Sequence, residues 1–247
     1  RNMLAGVAAI DLALLVVAAD DGPMPQTREH LAILRLLGVP RLVVALTKAD
    51  RVDAPRLAQA QAEVAALLAG GPFAAAPVFP VAAPAGLGLD ALRMHLVAEA
   101  TRLVQRPAAG RFRLAIDRSF AVAGSGRVVT GAVLAGALQV GAMVQLAPAG
   151  SRLRVRGLQV LHAPVDRVQA GQRCAVNLAG AELKRAEPER GDWLVADGDH
   201  APTARLDVLL HWLPGPRPAA GARAQWLLHL GAASRVVRLV PLDDRNT

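Results

Sequence analysis

Tyrosine is absent from this sequence, and aromatic residues as a whole reach only 3%. A core must then be assembled from Ala, Val and Leu, and the 53% hydrophobic content supplies enough of them. Cysteine is nearly absent too. Cys174 stands alone, which excludes a disulfide framework and a thiolate metal site and fits a reducing, cytoplasmic setting. Long apolar runs are also missing. Leu12–Ala19 falls short of the roughly 20 residues that cross a bilayer, and Asp11 and Asp20 bracket it. No membrane partner and no signal peptide are expected. His162, His200, His211 and His229 show no metal-ligand spacing, so no metal site is expected either.

What is present is positive charge. The net charge is +8, almost all of it from arginine, because Lys48 and Lys184 are the only lysines. Such a surplus suits a polyanion such as RNA. Drift of the composition toward arginine and alanine explains it as well. A chain of 247 residues has room for two or three small domains. It opens on Arg1 rather than Met, as expected of a piece of a longer protein.

The first hundred residues alternate strand and helix. Leu12–Ala18, Arg41–Thr47 and Val78–Val81 are short and apolar, like buried parallel strands. Between them Pro25 opens a helix whose face is expected to hold His30, Ile33, Leu34 and Leu37, up to Gly38. His30 on that face reads as a packed structural histidine. Ala60, Val64 and Leu67 mark a second helix ending at Gly70-Gly71. Leu92, Leu96 and Leu103 mark a third. This order predicts an α/β domain with a parallel sheet and flanking helices. Arg106-Pro107-Ala108-Ala109-Gly110 reads as a linker. Short strands between glycines follow at Phe112–Ile116, Val128–Val133, Val144–Leu146, Leu153–Val160 and Cys174–Leu178, the spacing of a small β-barrel. After a break at Asp197–Pro202, strands are expected again at Ala204–His211, Gln225–Leu230 and Ser234–Leu239. The expected domains are 1–106 (α/β), 107–197 (β-barrel) and 198–247 (part of a second β-barrel).

The chemistry concentrates at Thr47-Lys48-Ala49-Asp50, directly after a predicted buried strand. Carboxyl ends of parallel strands are where α/β sheets bind ligands. An aspartate there can accept from guanine N1–H and from its exocyclic amine. Adenine offers no such pair, so the site discriminates between the bases. The lysine stem can lie over a purine face, and Thr47 can supply a polar group toward the base or the loop behind it. The alternative is a solvated Lys–Asp turn. Against it, one of only two lysines is placed here.

These residues resemble the guanine-specificity motif N-K-x-D of GTPases, with Thr47 in place of Asn. Asp21-Gly22-Pro23-Met24-Pro25-Gln26-Thr27-Arg28-Glu29-His30 is similar to the D-G-P-M-P-Q-T-R-E-H run of elongation factor Tu-like GTPases. Arg1–Gly6 resembles the segment after the D-x-P-G-H motif of that family. Val81-Ala82-Ala83-Pro84 falls where the family's S-A loop presents backbone amides to the guanine oxygen, with Ala82 in place of Ser. The threonine variant, together with Phe112–Phe120, Gly124–Gly131 and the closing stretch Arg190–Leu194, resembles the selenocysteine-specific elongation factors.

That resemblance implies a GTP-dependent elongation factor that delivers selenocysteyl-tRNA to the ribosome in the cytoplasm. GTP would be held by Thr47, Lys48, Asp50, Ala82 and Ala83. The pocket for the aminoacyl group would use Asp117, Arg118 and Arg173. Selenocysteine carries a selenol that is ionised at neutral pH, so the two arginines would face the anion, and Asp117 would accept from the α-amino group or orient an arginine. A surface pair at a strand end is the plainer reading of Asp117 and Arg118. Arg152, Arg154 and Arg156 alternate on one strand face, either solvated or toward tRNA phosphates. The G-x-x-x-x-G-K-[ST] loop, the D-x-P-G-H motif and the Mg²⁺-binding switch threonine are all missing from these residues. No residue is therefore assigned as catalytic, and the chain alone is expected neither to hydrolyse GTP nor to bind it tightly. Recognition of the selenocysteine-insertion mRNA hairpin would fall to missing carboxyl-terminal domains. The competing readings are another elongation factor Tu-like GTPase, the GTPase subunit of a sulfate-activating enzyme, or a non-catalytic RNA-binding relic.

Overall fold

A computed structural model describes residues 10–103, 108–124, 126–199, 201–212 and 225–240. Arg1–Gly6, Arg106 and Pro107 of the linker, Ser125 and His200 lie outside them. The chain divides into two compact units, Ile10–Val104 and the residues from Gln105 onward.

In the first unit the Val- and Leu-rich runs become parallel strands β1 (Ala13–Ala18), β2 (Leu42–Thr47) and β3 (Val78–Pro80), ordered β1-β2-β3. The middle strand is buried from Leu42 to Leu46, because a parallel strand is covered on both faces. Val43 and Ala45 pack with Val81 and Leu92, and Leu12, Phe79 and Leu96 close around them. Three helices connect or follow the strands: α1 (Pro25–Leu36), α2 (Ala54–Leu68) and α3 (Leu89–Thr101). Asp53 caps α2 by accepting from the Arg56 N–H at 2.9 Å. Gly70, at φ +68°, ends it in a left-handed turn.

Two helix faces differ from expectation. On α1 the buried residues are Leu31 and Leu34, whereas His30 and Leu37 are exposed. His30 is therefore not a packed structural histidine. Successive residues on a helix point about 100° apart, so a face centred on Leu31 and Leu34 turns His30 toward water. On α3, Leu92 is buried, and Leu103 lies beyond the last helical residue, Thr101.

The second unit is the β-barrel. Strands β4 (Arg113–Val122), β5 (Gly126–Ala135), β7 (Met143–Ala147), β8 (Ser151–Val160), β11 (Arg173–Ala179) and β12 (Trp193–Ala196) pair in the order β11-β5-β4-β12-β7-β8. A further β11–β8 pairing closes the ring, which removes the open edges. Alternate residues point inward. Leu114, Ile116, Val129, Val133, Val144, Leu153, Val155, Val176 and Leu194 have no exposed surface. Three short strands, β6 (Ala137–Gln139), β9 (Ala163–Val165) and β10 (Arg167–Gln169), complete the wall; β6 pairs with β10 and β9 with β8.

Beyond the barrel, β13 (Trp226–Leu230) and β14 (Ala233–Val237) form an antiparallel hairpin. Its turn residue Gly231 lies on the barrel wall: a Cβ there would stand 3.1 Å from Ala115 Cβ and 3.3 Å from the Trp193 ring. The strand expected at Ala204–His211 does not form. Its Leu and Val side chains are exposed, Leu209 by 83%. No pairing partner runs beside it among the described residues, and strands exist only by pairing.

Candidate functional site

The first cluster of candidate residues sits where the parallel strands end. Thr47 is the last residue of β2, in register with Ala18 of β1, and its hydroxyl donates to the Val17 carbonyl at 3.3 Å. This hydrogen bond ties Thr47 to the neighbouring strand. Lys48 turns the chain with φ +58°. Ala49 N–H donates to the Val81 carbonyl at 3.1 Å, fastening the turn to the loop after β3. The turn exposes Asp50, whose carboxylate has no partner among the described residues. Its acceptor capacity is unspent.

The loop after β3 divides the two alanines. Ala82 N–H donates to the Leu87 carbonyl at 2.9 Å, and Leu87 N–H returns a bond to the Ala82 carbonyl at 3.1 Å. Ala83 N–H has no partner among the described residues. The loop therefore offers one open amide, from Ala83, and the Ala82 amide is already engaged. Lys48 is not free either. Its ammonium lies 2.8 and 3.0 Å from the two Asp20 carboxylate oxygens and 3.6 Å from an Asp21 oxygen. The Asp20 contact holds that carboxyl below its ordinary range and raises the Lys48 ammonium above its own.

The second cluster lies on the outer wall of the barrel. The β4–β5 register slips between Ile116 and Arg118, so Asp117 sits in a β-bulge, a device that re-aims a side chain. Arg173 at the start of β11 grips it with both arms: Nη2 donates to Oδ1 at 2.9 Å, and Nη1 donates to Oδ2. The Thr130 hydroxyl donates to the same Oδ1 at 2.8 Å, and Arg173 Nη2 lies 3.5 Å from the Thr130 oxygen. The Asp117 bonds raise the Arg173 guanidinium above its ordinary value. Arg118 stands opposite Thr130 in register. It is exposed and bonds to nothing among the described residues.

Thr130 is a member of this cluster that sequence reasoning missed. The hairpin around Gly124 held the signal, because counting back along both strands places Thr130 opposite Arg118. The neighbouring Cys174 points inward. Burial pushes its thiol up to about 12, so it stays protonated and takes no part in the site. On β8, Arg152 is held by Asp197 and its N–H donates to Glu182 at 2.7 Å. Arg154 and Arg156 are exposed and unpaired among the described residues. Among the described residues, no group of three or more His, Cys, Asp and Glu could hold a metal ion.

Comparison with known proteins places the two units among known domains. The family model for the elongation factor Tu GTP-binding domain matches residues 1–106, and that for elongation factor Tu domain 2 matches residues 126–195. A selenocysteine-specific elongation factor of Escherichia coli K12 is 50% identical over 99% of this chain and 39% of its own length. Another, from Desulfomicrobium baculatum, is 40% identical over 98% of this chain and 38% of its length. The chain thus spans about two fifths of the curated relatives it matches. Among solved structures, the elongation factor SelB of Methanococcus maripaludis in complex with the GTP analogue GppNHp superposes with a TM-score of 0.72. It is 28% identical, over 78% of this chain and 43% of that one. A bacterial selenocysteine-specific factor, EF-Sec, shares the fold with a TM-score of 0.84 over 98% of this chain and 40% of that one. Residues 1–106 and 126–195 thus match the GTP-binding domain and domain 2 of elongation factor Tu, and the chain is similar, over nearly its whole length, to the selenocysteine-specific elongation factors.

Proposed function

We propose that this chain is the base-reading and aminoacyl-binding portion of a GTP-dependent elongation factor that brings selenocysteyl-tRNA to the ribosome. One observation carries the reading. At the carboxyl edge of β2 an exposed carboxylate, Asp50, has every acceptor position open, and an open amide, Ala83 N–H, lies in the loop that Ala49 fastens to it. Guanine presents two donors and one acceptor along one edge. Asp50 would take N1–H and the exocyclic amine, and Ala83 N–H would meet the carbonyl oxygen. Ala82 would support the loop rather than touch the base. Adenine would leave both the carboxylate and the amide facing groups they cannot satisfy.

On the barrel, the bidentate Asp117–Arg173 pair with Thr130 supports a rigid wall for the aminoacyl group. Arg118 beside it holds unspent positive charge for a selenolate. In this reading Asp117 orients Arg173, and Arg118 makes the first contact with the anion. The domains would divide near residues 106 and 197, with 198–247 opening a third. Binding of the selenocysteine-insertion mRNA hairpin would fall to parts of the protein outside these residues.

The test is a change of base. In the full-length protein, Asp50→Asn presents a donor to the base. Nucleotide binding should shift from GDP toward the xanthine nucleotide by about a hundredfold, two lost or gained hydrogen bonds to a charged group. Unchanged preference for GDP would remove Asp50 from the base site.

A further inference from the structure

Lys48 makes contacts that base reading by Asp50 does not require. Its left-handed backbone is uncommon for a residue with a Cβ. Its side chain leaves the end of β2, crosses to the end of β1 and there meets both oxygens of Asp20. Neighbouring strands lie about 4.8 Å apart, so the stem must run along the carboxyl edge of the sheet to reach them. Asp20 is held in turn. Its carbonyl accepts from Arg56 Nη2 at 3.3 Å. Arg56 Nη1 pairs with Glu63 at 3.1 Å, and Gln59 donates to the same Glu63 oxygen at 2.9 Å. Two residues past Asp20 the loop lies so close to α2 that a Cβ on Gly22 would stand 2.3 Å from Glu63 Oε2. The chain of contacts runs from α2 to the loop after β1 and on to Lys48.

An exposed ion pair of this kind adds little to folding stability. What it changes is rotamer freedom. A lysine stem has four torsions and little reason to lie flat unless its end is fixed. We propose that Asp20 is a positioning residue for the purine site: by taking the Lys48 ammonium, it lays the lysine stem across the carboxyl edge of β1 and β2, where the face of a base read by Asp50 would rest. Asp21, farther from the ammonium, is an auxiliary. The inference rests on the reading of Asp50 as the base-reading residue.

The experiment measures the affinity of a fluorescent GDP analogue for the full-length protein. Asp20→Ala should weaken binding about tenfold, and Asp20→Asn, which keeps one uncharged acceptor, should weaken it less. The midpoint of thermal unfolding should stay within a degree or so in both, because the pair is exposed. Lys48→Met should weaken binding by at least as much. Adding Asp20→Ala to Lys48→Met should cost nothing further, since Asp20 acts only through the lysine. Base choice separates this inference from the one beneath it: Asp50→Asn in the Asp20→Ala background should still turn preference toward xanthine. Wild-type GDP affinity in Asp20→Ala overturns the proposal. So does a double variant whose loss is the product of the single losses, or a loss of affinity that follows a lowered unfolding midpoint.

Discussion

Arg173 has spent both arms of its fork on Asp117, and this determines which arginine can meet an anion. A guanidinium held in this way offers direction and field, and its remaining N–H points away from the carboxylate. Arg118, one residue past the bulge, has all its donors available. Arg173→Ala in the full-length protein should therefore reduce the preference for selenocysteyl-tRNA over seryl-tRNA by about tenfold, a modest figure because the pair is half exposed and screened by solvent. Arg173→Lys should not restore it, since an ammonium cannot match a carboxylate with two parallel bonds. Competition between the two tRNAs for the protein measures this. An unaltered preference would make the Asp117–Arg173 pair an ordinary surface contact.

Among the elements, β4 and β5 do most to build the barrel site, and Gly131 is the residue on which their approach depends. It pairs with Ile116 beside the bulge. A Cβ there would stand 2.1 Å from the Ala115 carbonyl oxygen, a backbone atom that cannot swing aside. Gly131→Ala should lower stability by about 1–3 kcal/mol, the usual cost of overpacking, and should also weaken tRNA selection because the bulge aims Asp117. A thermal melt combined with the tRNA competition would show both effects, and an unmoved midpoint would mean the strands separate without strain. This same pair of strands shows what was legible in the sequence. β2 and the long barrel strands could be read because an unbroken or alternating Val and Leu pattern survives any context. The three-residue strands β6, β9 and β10 are too short to show a period. Ala204–His211 carries the alternation and still forms no strand, because pattern supplies a face and only a neighbour supplies the ladder. The motif singled out Asp50, and the structure leaves it exposed at the end of β2. Asp20 was not legible, because it meets Lys48 from 28 residues away and nothing local marks it; Thr130, 13 residues from Asp117, required the register of the β4–β5 hairpin to be counted.

At the scale of the whole molecule, the two units offer a nucleotide very unequal things. In the proposed reading, the sheet edge meets only the base. No G-x-x-x-x-G-K-[ST] run occurs anywhere in the 247 residues, so no loop of amides with its lysine can wrap the β- and γ-phosphates. Phosphoryl transfer depends almost wholly on neutralising and aligning that charge. Two hydrogen bonds to a carboxylate are worth about 1.5–3 kcal/mol each. Association costs at least about 4 kcal/mol of lost freedom, so base contacts alone leave binding near or weaker than millimolar. The purified 247-residue chain should therefore hydrolyse GTP no faster than buffer does. It should also bind guanosine and GTP with nearly equal, weak affinity, because the phosphates add nothing the chain can hold. Calorimetric titration with guanosine, GDP and GTP side by side tests the second point, and phosphate release tests the first. Turnover above background, or affinity that climbs with each added phosphate, would mean that this chain holds phosphate by a route its sequence does not reveal.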